Sequence, residues 1–488
     1  MGVHIEHIEL YRPLSPPEDQ KTTSEGSLSS PPPEQGPSPS VNRYTSSPEQ
    51  QRGYHDATER QSRSSGYVTP YTMSPSPTSS ACVAWMEPCS LLLLQHYLEE
   101  TSTFLVAKPA HYNPYLTLIV PLAYSDDILM HAVLALSGTQ LSFKKGRDHH
   151  IHLATRRHYS QTLRSLGPLI AEQSVCEDTE RALRIALVSL ILCYVEAISG
   201  DAGGGGIFLH LRACREMILT VLGSERGRPS NEETRSIKGF VLEVYSFLVL
   251  SNRITPYDCC DTARMMPHDP FLDSLDFLQE YKTFGVLLGS VQGLFELIPL
   301  ASKLALDRLR EELEDSQIAA AARRNRCHRR FVYDNLIIVL EQWRSPAVSP
   351  EMTEWYLEHS WIGEIYRQAL LIFVKISMCG SVVDNPKVIA TIQGHIDVVM
   401  PLLLPVADSP LGTLLLWPVM VIGSCLIAEC QRQFFLNRLY NETKVVVAQV
   451  VEAGKLLELV WYDADKRAYG PFGLHLAMKK HKINFGVS

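Results

Sequence analysis

The chain has 488 residues and a net charge of −8, from 45 Lys and Arg against 53 Asp and Glu. Its 45% hydrophobic content is ordinary for a globular protein. The eleven cysteines are odd in number and scattered, which fits reduced thiols inside a cell better than a secreted disulfide framework. The acidic balance argues against a surface built wholly to grip phosphates. Length alone allows about three domains.

The first residues, Met1-Gly2-Val3-His4-Ile5-Glu6, carry neither a basic n-region nor an apolar h-region, and Glu6 breaks the myristoylation pattern. Residues 1–80 hold 16 Ser and 12 Pro. Such a composition cannot bury enough apolar surface to offset ordering entropy, so a disordered arm is expected there. Ser15-Pro16, Ser30-Pro31, Ser38-Pro39, Ser47-Pro48, Thr69-Pro70, Ser74-Pro75 and Ser76-Pro77 are candidates for proline-directed phosphorylation.

From about Trp85 apolar residues recur at helical spacing, and residues 81–488 are expected to form an all-α body. Ser125, with Asp126 and Asp127 after it, reads as a helix start: a capping hydroxyl and two carboxylates facing the positive end of the dipole. Leu129, Ala132, Val133 and Leu136 give that helix one buried face. A second helix is expected over 149–166, with Leu153, Leu163 and Leu166 inward. A third runs over 177–198; it is apolar nearly all round, hence central, and Gly200 stops it. A fourth, 207–222, carries Leu211, Cys214, Ile218 and Leu222 on one stripe. Ser230 and Glu233 form a capping box for a fifth, with Phe240, Val244, Phe247, Leu248 and Leu250 in its core. Residues 251–285, with Pro256, Pro267 and Pro270, read as an internal boundary or an irregular crossing. Further helices are expected at 290–314, 316–344, 353–378, 386–404, 412–436 and 443–462. Period-2 runs bounded by hairpin turns are nearly absent, so no sheet is expected.

One uncharged stretch, 411–428, is just long enough to cross a bilayer. Pro418 interrupts it and no Lys/Arg cluster flanks it, so it reads as core.

Chemical motifs are sparse. Gly203–Gly206 lacks the Gly-Lys-Ser/Thr of a phosphate loop and reads as a connector. Asp126-Asp127 invites comparison with the magnesium site of helical terpene cyclases, but Ile128–Ala135 adds no third acid. His149 and His152 share a helical face beside Asp148 and His150, with no H-E-x-x-H around them; a polar helix start is the plainer reading. No G-x-S-x-G occurs. Asp258 and Asp261 flank Cys259-Cys260, which disfavours a thiolate there. No catalytic, cofactor-binding or metal-ligating residue is assigned, no cofactor is expected, and the chain does not read as an enzyme. Two basic clusters remain: Arg323, Arg324, Arg326, Arg329 and Arg330 with His328, and Lys479, Lys480 and Lys482. Each is a candidate import signal or contact for acidic partners, weighed against a solvated helix face with paired charges.

Three stretches are familiar in order and spacing. The first is Tyr124-Ser125-Asp126-Asp127, then His131 through Gly138, Ala154 and His158-Tyr159. The second is Leu192 through Asp201, then His210-Leu211-Arg212. The third is Leu416-Trp417-Pro418, Gly423, Glu429 to Arg432, and Trp461. Together they span about 340 residues, and they resemble the regulatory domain of fungal zinc-cluster transcription factors. The resemblance implies an all-α fold, a place in the nucleus and control of transcription. A zinc-cluster module needs six thiolates arranged around two C-x2-C pairs, and no C-x2-C pair occurs in these 488 residues. The expected role is therefore a nuclear regulator that acts through its helical domain. It would bind protein partners, a related regulator with an intact zinc module being the natural one, or a small-molecule effector. It would reach DNA indirectly or through a module upstream of Met1, with no membrane involved. Readings of other classes are a helical enzyme with an apolar pocket and a cytoplasmic helical scaffold.

Overall fold

Asp126 opens the first long helix. In the computed structural model, one of its carboxylate oxygens accepts the backbone N–H groups of Ile128 (3.0 Å) and Leu129 (3.1 Å). The structure describes residues 86–107, 112–146, 148–171, 178–200, 205–224, 231–256, 266–313, 319–346, 356–442 and 448–487, all within one compact unit, 73–488. The arm expected over residues 1–80, Gly203-Gly204, Cys259-Cys260 and Ser230 lie outside the described residues.

In chain order the helices are α1 (Pro88–His96), α2 (Val120–Ser125), α3 (Asp127–Lys144), α4 (His149–Ala171), α5 (Thr179–Ser199), α6 (Gly206–Ser224) and α7 (Glu232–Ser251). They continue with α8 (Ile298–Leu313), α9 (Ala319–Gln342), α10 (Tyr356–Cys379), α11 (Pro386–Ala407), α12 (Leu416–Gly423), α13 (Glu429–Asn437), α14 (Ala448–Trp461) and α15 (Gly470–His481). No strand occurs among the described residues. α5 is the hub of the first half: it packs on α3, α6 and α7, and reaches α14. α10 plays that part in the second half, against α8, α9, α11 and α12.

Two expected caps move by one residue. Ser125 does not open α3; it ends α2, and its hydroxyl donates to the Leu122 carbonyl (2.9 Å). A carboxylate accepts from two orphan N–H groups at once, so Asp126 takes the cap. Asn231 caps α7, its side-chain oxygen accepting from Thr234 N (2.6 Å).

α4 presents a different face from the one expected. Leu166 is buried, but Leu153 and Leu163 are exposed. The inward stripe is Ile151, Ala154, Thr155, His158, Thr162 and Leu166. Two contacts with α3 fix this phase. Gly138 leaves room for the Thr155 side chain, where a Cβ would collide. His131 and His158 meet through their Nδ1 atoms at 2.8 Å. Isolated leucines at a surface are ordinary, whereas buried polar groups need partners.

The helix expected over 412–436 is broken. A 3-10 turn, Pro410–Leu414, precedes α12, and residues 424–428 separate α12 from α13. The Ser424 hydroxyl bonds back to the Val421 carbonyl (2.7 Å), and the Ser424 carbonyl accepts from Gly470 N (3.0 Å). Both bonds draw the backbone out of the helical ladder. α1, α2 and α15 form where no helix was placed.

Among the described residues between Asn252 and Val291, only two 3-10 turns form, Pro270–Leu272 and Asp276–Glu280. This irregular crossing is pinned by Glu243 of α7. Its fully buried carboxylate accepts backbone N–H groups from Gly285 (3.0 Å), Leu287 (2.9 Å) and Leu288 (2.9 Å). Leu272, Leu275 and Leu278 bury themselves in the same core.

Among the described residues two helices, α5 and α11, are long and apolar enough to cross a bilayer. The apolar window of α5 is 83% buried against other helices; that of α11 is 22% buried. The stretch flagged in the sequence, 411–428, contains only the eight-residue α12 and turns, too short a helix to span.

Candidate functional site

The last two turns of α5 stand between two concavities. Just beyond them Gly200 ends α5 in the left-handed conformation (φ 73°) and leaves the chain against Ala448 at the start of α14. An L-residue would pay for that backbone and collide with the neighbour.

The first concavity is apolar, with a volume of about 110 Å³. Tyr194 and Ile198 form its α5 wall. Phe104 and Leu105 come from the segment after α1, and Leu403 from α11. Leu415, Leu416 and Val419 line it from α12 and its approach, Phe434 and Phe435 from α13, and Val450 from α14. Arg438 is the one charged residue among those lining it. It sits in a π turn, Arg438–Glu442, that extends α13. Its side chain is 15% exposed, and Nη2 donates to Asp408 Oδ1 (2.8 Å), a carboxylate that is 55% exposed.

The second concavity is polar, about 460 Å³, between α3, α4 and α5. The Tyr159 hydroxyl donates to the Glu196 carboxylate across it. Burial, and then Glu196, push the Tyr159 hydroxyl well above its ordinary pKa, so it stays a donor. Ile198 borders both concavities.

Nearby, burial drives the imidazoles of His131 and His158 down, His158 to about 4, so both are neutral at physiological pH. Two neutral rings sharing Nδ1 atoms must take opposite tautomers. His158 Nε2 then meets Ser90 Oγ (3.0 Å), tying α1 to α3 and α4.

The residues singled out by type rather than by packing do not come together. Asp148 Oδ1 accepts from His150 N (2.9 Å) and Ile151 N (3.2 Å), and His149, His150 and His152 are exposed at the start of α4. Among the described residues no group of three or more His, Cys, Asp or Glu is placed to hold a metal ion. Asp126 is a helix cap. In the arginine cluster, Arg329 is buried and pairs with Glu311 of α8, and Arg330 pairs with Asp334 (3.0 Å). The side chains of Arg323 and Arg324 lie outside the description. Lys480 pairs with Asp463 (2.8 Å), and Lys482 caps α15 in the left-handed region (φ 54°).

Residues 92–479 match the fungal specific transcription factor domain. The chain belongs to that family. No curated protein and no solved structure matches it.

Within this fungal specific transcription factor domain, the three stretches that carried the resemblance are its packing joints. His131, Gly138 and His158 lock α3 to α4. Tyr159 and Glu196 lock α4 to α5. Burial holds His210 on α6 neutral, with a pKa of about 4. Trp417 stacks on Tyr366 of α10 (ring centroids 5.6 Å, planes 5° apart). The Trp461 indole donates to the Gly423 carbonyl (2.7 Å), and the Arg432 guanidinium lies 5.5 Å from the centre of the Trp461 ring. No motif marks Arg438 or Asp408 in the sequence. A lone arginine after Phe434-Phe435-Leu436 carries no pattern, and only the fold turns it toward a cavity.

Proposed function

We propose that this chain is a nuclear transcription regulator that works through its helical domain and reaches DNA through a protein partner. The family match over 92–479 carries the reading: the domain belongs to transcription factors, and it makes up most of the chain. The partner we propose is a related regulator bearing its own zinc module, the alternative being a zinc module encoded upstream of Met1; either would supply the C-x2-C pairs that these 488 residues do not contain. No enzymatic role is proposed. The cavity that an apolar substrate would enter is lined mostly by hydrocarbon, with Arg438, Gln449 and Thr413 as polar neighbours and no carboxylate or histidine among its lining residues.

A fluorescent fusion and a chromatin-occupancy map test the proposal. Nuclear signal and discrete genomic peaks are expected. Exclusion from the nucleus under every growth condition would overturn it, and would favour a cytoplasmic scaffold. Purification from cross-linked nuclei tests the partner, where a protein with two C-x2-C pairs is expected. Occupancy that persists with no such protein recovered would remove that part of the reading.

A further inference from the structure

The apolar cavity beside α5 has two features that bear on a ligand: its size and its single charge. A cavity of about 150 Å³ lined by hydrocarbon holds benzene, so about 110 Å³ suits an apolar body of about four to six carbons. Natural ligand sites combine such a lining with a few placed polar groups. Here Thr413, Gln449 and Arg438 are the polar side chains that accompany the apolar lining, Arg438 the charged one, and a guanidinium offers five N–H donors in a fork that matches a carboxylate. Asp408 engages Arg438 from the more exposed side, its own carboxylate 55% exposed while the arginine side chain is 15% exposed. A ligand carboxylate arriving from within the cavity meets the same guanidinium in a drier setting, where a charge-assisted bond is stronger.

We propose that this cavity binds a small amphipathic carboxylate, with its hydrocarbon tail between Tyr194, Val419 and Phe435 and its carboxylate on Arg438. The walls come from segments some 340 residues apart in the chain, from Phe104 to Val450. A bound tail therefore touches α5, α12, α13 and α14 together and favours the packed arrangement of all four. That gives the domain a sensor: occupancy changes how firmly its second half holds to α5. The sensing role rests on the regulator function proposed above; the binding does not.

The test uses the full chain and a defined probe, hexanoate, with 1-hexanol and hexylamine as neutral and cationic counterparts. At hexanoate concentrations tenfold above its Kd, the thermal midpoint is expected to rise by about 2 °C. Hexanol should act more weakly, and hexylamine more weakly still. Arg438→Gln should reduce the hexanoate response to that of hexanol. Val419→Phe fills the cavity and should abolish the response to all three; if it fails to fold, Arg438→Gln still decides the charge assignment. No shift with hexanoate overturns the site. So does a shift undiminished in both variants. Equal responses to hexanoate and hexylamine overturn the role of Arg438. Titration of the same variants in a transcription reporter separates the two proposals. A thermal shift without nuclear activity removes the regulator and keeps the ligand, and reporter activity without a shift does the reverse.

Discussion

Trp461 donates its indole N–H to the carbonyl of Gly423, 2.7 Å away, and both groups are buried. The bond joins the end of α14 to the end of α12, and Gly423 is what lets them approach: a Cβ there would fall 2.8 Å from the Leu457 side chain. Trp461→Phe keeps an aromatic six-membered ring but removes the pyrrole part of the indole with its N–H, leaving a buried carbonyl without this partner. The expected loss is about 1–3 kcal/mol, read as a lower urea midpoint with an unchanged slope. A midpoint equal to wild type would show that neither the bond nor the lost indole volume contributes net stability.

Gly200 and Gly146 separate two costs that are usually confounded. Both have positive φ, 73° and 63°. A Cβ at Gly200 would lie 2.5 Å from the Ala448 Cβ, and one at Gly146 meets nothing within 4 Å. Gly146→Ala is expected to cost about 1–2 kcal/mol, the backbone part alone. Gly200→Ala adds overpacking, for about 2–5 kcal/mol in all. Equal losses would mean that α14 yields freely at Ala448.

Glu243 is a buried carboxylate whose work is structural. Replacing it with Leu leaves the backbone donors of Gly285, Leu287 and Leu288 without their acceptor, with an expected loss of about 3 kcal/mol or more. Glu243→Gln keeps one acceptor oxygen and should lose less. Hydrogen exchange should show the opening concentrated in the crossing around 281–291, because that segment has no helical ladder of its own.

Acid should destabilise the domain well before its carboxylates protonate. Burial lowers His158, His210 and His395 to about 4, from an ordinary value of 6.5. The unfolded chain therefore binds more protons between those two values. Stability is full above about pH 6.5 and falls toward pH 4, by at most about 1.4 kcal/mol per pH unit for each histidine. His96, His131 and His359 are lowered as well and act in the same sense. Glu296 and Asp307, whose carboxyls burial raises, oppose them at the acid end. The thermal midpoint should drop between pH 7 and pH 5; a flat profile there would contradict the neutral, buried histidines.

Local pattern was enough for much of the helical plan. The apolar run of α5 and its stop at Gly200, the stripe of Leu211, Cys214 and Ile218, and the core of α7 were all legible, because helical periodicity and a glycine's backbone freedom are properties of neighbours in the chain. The family was legible too, in three stretches whose order is fixed by sequence. The face of α4 was not. Leu153 and Leu163 are as apolar as Leu166, and only the meeting of Gly138 with Thr155 and of His131 with His158 decides which side turns inward. Nor was the break after α12, which depends on the Ser424 carbonyl finding Gly470. The cavity is the extreme case. Its walls come from segments spread between Phe104 and Val450, and the charge of Arg438 has meaning there only once α13 has brought it beside α5. Sequence by itself determined most of the long helices and the family, because those follow from short-range spacing, while the short α1, α2 and α15 and the break after α12 did not. Tertiary structure alone decided which faces are buried and where a ligand fits, because burial and cavities are relations between residues that only folding makes neighbours.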